Sequence, residues 1–222
     1  MTKLISKDKS ARGLYKQIKA DLMNAVYKPG ERVVIDQLAE RLRVSSTPVR
    51  EILNRLAAEE LVVVVPQMGF FMPLLTETDL RNLYSMQQIF LNWSLQDLAL
   101  SYAEDGVDRF LKLPFDVDKL KADQAVSAQR LGELISAFFL HMIRLSGNNE
   151  VTHKAENLND RLAPVRSREN EVTNNVKSEL LGFFDAYILR DFVILQNLVD
   201  RYFISRIALV PALMCISDDC KY

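Results

Sequence analysis

Two short amphipathic segments, separated by only two residues, constrain this chain more than any other feature. Apolar residues recur at helical spacing over Ile35–Arg43, a brief turn follows at 44–45, and a second helical pattern begins at Ser46. Ser46 or Thr47 can cap this second helix. Pro48 falls in its first turn, where the missing N–H of proline costs little. The pattern predicts a helix-turn-helix.

The second of these helices has two distinct faces when residues are placed 100° apart around its axis. The apolar face, which should pack on a core, consists of Val49, Ile52, Leu53 and Leu56. The opposite face is polar and carries a single charged side chain; it consists of Ser46, Thr47, Arg50 and Asn54. This helix therefore has one face for packing and another for a polar partner.

The flanking segments complete a small α/β domain. Apolar residues spaced by four predict a first helix over 10–26, with Ser10 as its N-cap; they are Leu14, Ile18, Leu22 and Val26. Residues 32–34 favour one small strand, Leu61–Val65 a buried strand, 66–69 a turn, and Phe70–Met72 its hairpin partner. This order predicts a winged helix-turn-helix over residues 8–75.

Strand signals stop at Thr76, and only helical patterns follow. The first runs from Thr76 toward Tyr102, and the others cover 116–126, 128–146, 149–168, 170–189 and 191–215. We therefore expect an all-α bundle over residues 76–217, and a mainly α fold class for the whole chain.

Composition excludes several classes of protein. No apolar run approaches the roughly 20 residues of a membrane helix, and the polar N-terminus lacks a signal peptide's apolar core. Cys215 and Cys220 are too few for a disulfide framework. The expectation is a cytoplasmic protein with no membrane partner.

Catalytic motifs are missing from the sequence. The seven glycines form no phosphate-binding loop, and there is no nucleophile elbow, His-Glu-x-x-His or paired-carboxylate constellation. An enzyme is therefore not expected. The alternatives are an enzyme with scattered catalytic residues, or a helical protein-interaction module that uses the winged helix as a scaffold.

The charge is divided unevenly along the chain. Residues 1–73 carry 12 Lys and Arg against 8 Asp and Glu, a net charge of +4, whereas the remainder carries 16 against 21, a net charge of −5. Such asymmetry suggests that the basic part meets a polyanion.

A helix-turn-helix binds double-stranded DNA by placing its second helix in the major groove. Arg50 could contact a guanine or grip a phosphate, and Arg43 and Arg55 add non-specific attraction. The predicted DNA-binding residues are Arg41, Ser45, Ser46, Thr47, Arg50, Asn54, Met68 and Gly69. The alternative is a structural winged-helix module with an ordinary charged surface.

The run from Leu38 to Glu51, with its Ser-Ser-Thr-Pro-Val-Arg-Glu segment, resembles the DNA-binding domain of GntR-family bacterial transcription regulators. The preceding Pro29-Gly30 and the later Leu56, Leu61 and Gly69 belong to the same resemblance. It implies a homodimer that binds a palindromic operator. Two positions depart from the family pattern, since Ser46 and Glu60 replace the usual Arg and Gly. We therefore expect the operator preference of this protein to differ from that of the family.

The all-helical C-terminal region resembles the FadR subfamily, whose C-terminal domain binds an effector and helps to form the dimer. The resemblance implies a metal site at four positions, held here by Ile135, Phe139, Leu180 and Tyr202. Gln88 and Asn92 replace two further polar family residues. Neither His141 nor His153 falls at a ligand position, so we expect the subfamily's metal site to be lost and no cofactor to be bound.

Two alternatives remain open for the bundle interior. Phe138, Phe183 and Phe184 could fill it completely together with the residues at the former ligand positions. Alternatively, the interior could hold a small apolar or aromatic effector. The expected lining of that pocket is Gln88, Ile135, Phe139, Leu180 and Tyr202.

Overall fold

The computed structural model describes residues 10–23, 27–105, 113–123 and 125–218. The chain divides into two compact units, Met1–Leu75 and Thr76–Tyr222, called here the N-terminal and C-terminal units. The fold is mainly α with one small sheet, as the sequence predicts.

The N-terminal unit has the predicted order of helices and strands. Its elements are α1 (Ala11–Met23), β1 (Arg32–Val33), α2 (Ile35–Leu42), α3 (Ser46–Ala58), β2 (Val63–Val65) and β3 (Gly69–Phe71). Ser10 begins α1, because its Oγ accepts a hydrogen bond from the N–H of Gly13 at 3.1 Å. Arg43 ends α2 in the left-handed conformation, with φ of 56°. The helix-turn-helix (α2 and α3) and the hairpin that forms its wing (β2 and β3) are therefore both present.

The three strands form one antiparallel sheet in the order β1-β3-β2. Phe70 of β3 is buried and pairs with Val33 on one side and Val64 on the other. The three helices pack their apolar faces together with this phenylalanine. The core they form includes Leu14, Ile18, Leu22, Leu38, Val49, Ile52, Leu53 and Leu56.

The N-terminal unit departs from the prediction at β2 and at the start of α3. The buried strand expected over Leu61–Val65 is wrong in part: Leu61 and Val62 are buried but precede the strand, which covers only Val63–Val65 and has Val63 and Val64 about half exposed. An apolar run reveals burial poorly in a strand at the edge of a sheet. The N-cap of α3 is Ser45, not Ser46 or Thr47. Val26 lies outside the described residues, as does Cys220.

The described part of the C-terminal unit is helical. Its helices are α4 (Glu77–Asp105), α5 (Val117–Ala122), α6 (Ala128–Leu145), α7 (Asn149–Val172), α8 (Val176–Ile188) and α9 (Phe192–Asp218). Ser127 and Asn148 cap α6 and α7 by accepting hydrogen bonds from the N–H groups of Arg130 and Val151. The helix boundary expected between 168 and 170 is wrong. The helix α7 continues to Val172 because Glu169 faces inward and binds the neighbouring helices.

Helices α6 and α7 approach each other closely at Gly132. A Cβ atom on this glycine would lie 3.0 Å from the carbonyl carbon and oxygen of Arg166. Only glycine allows the two backbones to come this near. No helix in the described part of the chain has the length and apolarity needed to cross a membrane.

Candidate nucleic-acid interface and helical-unit interior

One face of α3 presents polar side chains to solvent, as expected for a recognition helix. Ser45, Thr47, Arg50 and Asn54 are all exposed, while the opposite face of α3 is buried in the core. Within the described residues, the Arg50 guanidinium has no hydrogen-bond or ion-pair partner. This helix end can therefore offer a cation and two hydroxyl groups to an anionic surface.

Two of the predicted DNA-binding residues are engaged within the protein. The hydroxyl of Ser46 donates a hydrogen bond of 2.8 Å to Asp36, which joins α3 to α2. The guanidinium of Arg41 forms an ion pair of 2.7 Å with Asp21 of α1. Both contacts fix the angle between the helices, and each would have to open or be shared before the side chain could bind DNA.

The wing carries the remaining predicted residues. Gln67, in the turn between β2 and β3, and Gly69, the first residue of β3, both have positive φ, of 64° and 105°. The N–H of Met68 donates to the carbonyl of Val65 at 3.0 Å, which closes the turn. Met68 is 57% exposed. The turn therefore presents one apolar side chain, followed by Gly69, which has no side chain.

Arg55, on the side of α3 next to α1, belongs to a small ion-pair cluster. Its guanidinium lies 4.1 Å from the centre of the Tyr15 ring and donates to Glu59 at 3.1 Å. Glu59 also pairs with Lys19 at 3.2 Å and accepts a hydrogen bond from Tyr15. Burial alone would raise the pKa of the Glu59 carboxyl, but the hydrogen bonds from Tyr15 and Lys19 hold this pKa below its ordinary value.

In the C-terminal unit, four of the predicted pocket residues are completely or almost completely buried. Ile135, Phe139 and Leu180 are 0% exposed, and Tyr202 is 1% exposed. Phe139 and Tyr202 are in contact, with ring centres 5.2 Å apart. Phe183 packs against both rings at 5.5 and 5.9 Å, so aromatic side chains occupy the space around them.

Gln88, the fifth predicted pocket residue, makes its polar contact with α9 and not with the other four predicted pocket residues. Its amide donates to Asp200 of α9 at 2.8 Å, as does the amide of Asn92 at 3.0 Å. The neighbouring Gln87 is buried instead and accepts a hydrogen bond from Arg166. Gln87, one residue before the position that the resemblance implies, is thus one of the polar side chains that α4 contributes to the interior.

A buried carboxylate, Glu169 of α7, joins three helices and was not predicted. It accepts hydrogen bonds from the hydroxyls of Tyr84 and Tyr202 at 2.9 and 2.8 Å, and from Nε of Arg206 at 2.7 Å. Arg206 extends the network to Glu179 of α8. Burial and the charge of Glu169 raise the pKa of the Tyr202 hydroxyl, which stays a neutral donor.

A second buried cation, Arg166, lies one turn before Glu169 on α7. Its guanidinium donates to three neutral oxygens, those of Ser136, Asn159 and Gln87. The sequence expectation of an apolar interior is therefore incomplete, because polar groups lie beside the aromatic cluster. One signal was available: Glu169 and Arg206 continue the helical spacing of buried residues such as Val165 and Val199.

No three His, Cys, Asp or Glu side chains in the described part of the chain gather as metal ligands do. His141 contacts the hydroxyl of Tyr187 at 2.9 Å, and His153 is an exposed partner of Glu156 at 3.6 Å. Each histidine therefore has a local partner on or near the surface.

Comparison with known proteins gives matches in both units. Residues 10–72 match the family described as bacterial regulatory proteins, gntR family. The Nta operon transcriptional regulator of Aminobacter aminovorans is 32% identical over 140 residues, which is 63% of this chain and 65% of that protein. The matched stretch thus spans just under two thirds of the relative. Because the N-terminal unit has only 75 residues, the match extends into the C-terminal unit.

Solved structures share the fold over most of the chain. E. coli McbR/YncC is 20% identical with a TM-score of 0.63, covering 94% of this chain and 99% of that one. A transcriptional regulator GntR from Rhodococcus sp. RHA1 is 15% identical with a TM-score of 0.69, covering 91% and 97%. The fold is therefore that of these regulators. Residues 10–72 of the N-terminal unit are thus similar to the gntR family of bacterial regulatory proteins.

Proposed function

We propose that this protein is a cytoplasmic transcriptional regulator that binds a palindromic operator as a homodimer. The observation that carries the proposal is the exposed first turn of α3, where Arg50 has no partner among the described residues. A guanidinium at this place can make a bidentate contact with guanine in the major groove. Its neighbours Ser45 and Thr47 are well placed for phosphate oxygens, which position the helix without specifying sequence.

The proposal is tested by fluorescence anisotropy with DNA from the promoter beside the protein's own gene, at two salt concentrations. Arg50→Ala should weaken binding to this DNA by at least about 1 kcal/mol and affect random DNA less. Arg55→Ala should lower affinity for both DNAs alike. Equal losses on both DNAs for the two variants would contradict the role given to Arg50.

We propose that the dimer forms through the C-terminal unit. Exposed apolar residues recur on α4 at spacings of three, four and seven; they are Met86, Ile89, Trp93 and Leu100. Val193 and Ile204 of α9, the helix packed beside α4, are also exposed, at 73% and 66%. Helices with this spacing pack well against a second copy of themselves.

Light scattering of the full chain at micromolar concentration tests this interface. Ile89→Glu should convert a dimer to a monomer, because it places a charge in the apolar stripe. Gln129→Glu, which adds the same charge on the exposed surface of α6, is the matched control. A wild-type monomer, or a dimer unaffected by Ile89→Glu, would contradict the proposed interface.

We propose further that the C-terminal unit binds no transition metal. Hydrocarbon at Ile135, Phe139 and Leu180 cannot replace imidazole or carboxylate ligands. Elemental analysis of protein purified without chelators should find less than stoichiometric Zn, Ni and Mn. The apolar or aromatic effector stays a prediction from the sequence. The ring contacts of Phe139 favour the alternative in which aromatic side chains fill the core.

A further inference from the structure

A groove of about 600 Å³ runs between α1 and α3 in the N-terminal unit. Its polar lining comes from Arg12 and Lys16 of α1 and from Glu51 and Arg55 of α3. Arg55 is already held by Glu59 and the Tyr15 ring. Arg12 and Lys16 are exposed, and neither has an acidic partner among the described residues. The groove therefore contains two cations available to a ligand.

The positions of these two cations on α1 argue against a role in folding. They lie one turn apart on the same side of the helix, and like charges at this spacing destabilise a helix. The buried residues of α1 are on the other side, at Leu14, Ile18 and Leu22. An anionic partner would remove the repulsion between Arg12 and Lys16.

The groove lies beside the face of α3 that carries Arg50. Around the axis of α3, Glu51 and Arg55 follow Arg50 by about 100° and 140° at 100° per residue. A recognition helix in the major groove has a phosphate backbone along each side. The side of α3 next to α1 would therefore meet one of the two backbones.

We propose that the groove between α1 and α3 binds one phosphate backbone of the DNA duplex through Arg12 and Lys16. This inference rests on the proposed function and adds α1 to the DNA interface. Phosphate contacts carry no base information, so the contribution should be the same for every sequence. Among the described residues, Glu51 is the one carboxylate in the lining, and it should oppose the binding.

The test uses the full chain and a random-sequence duplex of 30 base pairs, with affinity measured from 50 to 200 mM NaCl. Each lost phosphate contact lowers the slope of log K against log salt by about 0.9. The double variant Arg12→Gln/Lys16→Gln should therefore lose about 1.8 of slope. Wild-type affinity should fall about 12-fold more than that of the double variant over this range. Glu51→Gln should bind more tightly than the wild type.

Lys28→Gln is the matched control, because it removes an exposed positive charge from the same unit beyond the other end of α1. Circular dichroism melts are used to check that each variant is folded. If Lys28→Gln lowers the slope of log K against log salt by as much per removed charge as the double variant does, DNA affinity depends only on net charge. The assignment of the phosphate contacts to the groove is then wrong. If the double variant binds like the wild type while Arg50→Ala still weakens promoter binding, the groove fails and the proposed function survives. Absence of DNA binding by the wild type would overturn both.

Discussion

At the scale of single residues, Glu169 of the C-terminal unit has its buried charge balanced by neighbouring side chains. The carboxylate is 0% exposed and receives hydrogen bonds from Tyr84, Tyr202 and Arg206. A buried ion pair adds little compared with a well-packed apolar pair, but removing one partner leaves the other charge uncompensated. The network is therefore sensitive to single substitutions.

We expect Glu169→Gln to lower the free energy of unfolding by about 1–3 kcal/mol, because Tyr84, Tyr202 and Nε of Arg206 would lose their charged acceptor while Arg206 keeps its ion pair with Glu179. Urea denaturation followed by circular dichroism measures the change. Glu133→Gln is the control, since the ion pair of Glu133 with Arg130 is about half exposed and contributes little. A loss no larger than that of the control would show that Arg206 does not depend on Glu169.

A second residue-scale prediction concerns pH and Glu59. The pKa of its carboxyl is below the ordinary value in the folded protein, so the folded state favours the charged form. The resulting stabilisation is complete above the ordinary carboxyl pKa of about 4.3 and is lost as the pH falls through the lowered folded value. Glu59→Gln should therefore reduce the melting temperature at pH 7 and have a smaller effect as the solution is acidified. Calorimetry from pH 7 to pH 3 tests this, and a difference that grows on acidification would contradict it.

At the scale of helices and strands, apolar spacing predicted most of the fold but few of the polar contacts. The spacing of four between Leu14, Ile18 and Leu22 identifies a buried face of α1 from the sequence alone. The same spacing places Glu169 on a buried face, yet it cannot identify Arg206, 37 residues later, as its partner. Partners depend on how helices pack, which the period of a single helix does not contain.

The close approach of α6 and α7 gives a prediction about two glycines. Gly132→Ala should destabilise the protein by about 1–3 kcal/mol, because the new methyl group would lie 3.0 Å from the backbone of Arg166. Gly182→Ala, inside α8, would make only an ordinary contact at 3.6 Å with Leu198. It should stabilise the helix by about 0.5–1 kcal/mol, and denaturant midpoints measured for both variants distinguish the two cases. Equal effects would show that α6 and α7 can separate at no cost.

At the scale of the whole molecule, the two units have opposite net charges and separate tasks in our proposal. The basic unit binds the polyanion, and the acidic unit provides the apolar stripe on α4 for a second copy. A dimer that presents two recognition helices about 34 Å apart binds a palindrome through both half-sites. Pairing two weak sites in this way raises affinity by effective concentration, without any new contact.

Dimer formation and operator affinity should therefore be lost together. Ile89→Glu should bind a palindromic duplex, obtained by in vitro selection with the wild type, about 100-fold more weakly, which is the lower end of such avidity effects. Binding of the same variant to a single half-site should stay within about twofold of the wild type, because the apolar stripe on α4 does not contact DNA in the proposal. Anisotropy with the two duplexes is the measurement, and equal weakening on both would contradict the division of tasks.

The dependence of Glu169 on Arg206 has an evolutionary consequence. A lineage that loses Arg206 first passes through a protein in which the buried Glu169 has no counter-charge, whereas Arg206 without Glu169 keeps its ion pair with Glu179. Among homologous sequences, an acid at position 169 should therefore occur only together with an arginine at position 206. Tyr84 and Tyr202, which donate to the same carboxylate, should become free to change to phenylalanine in every lineage that has lost the pair.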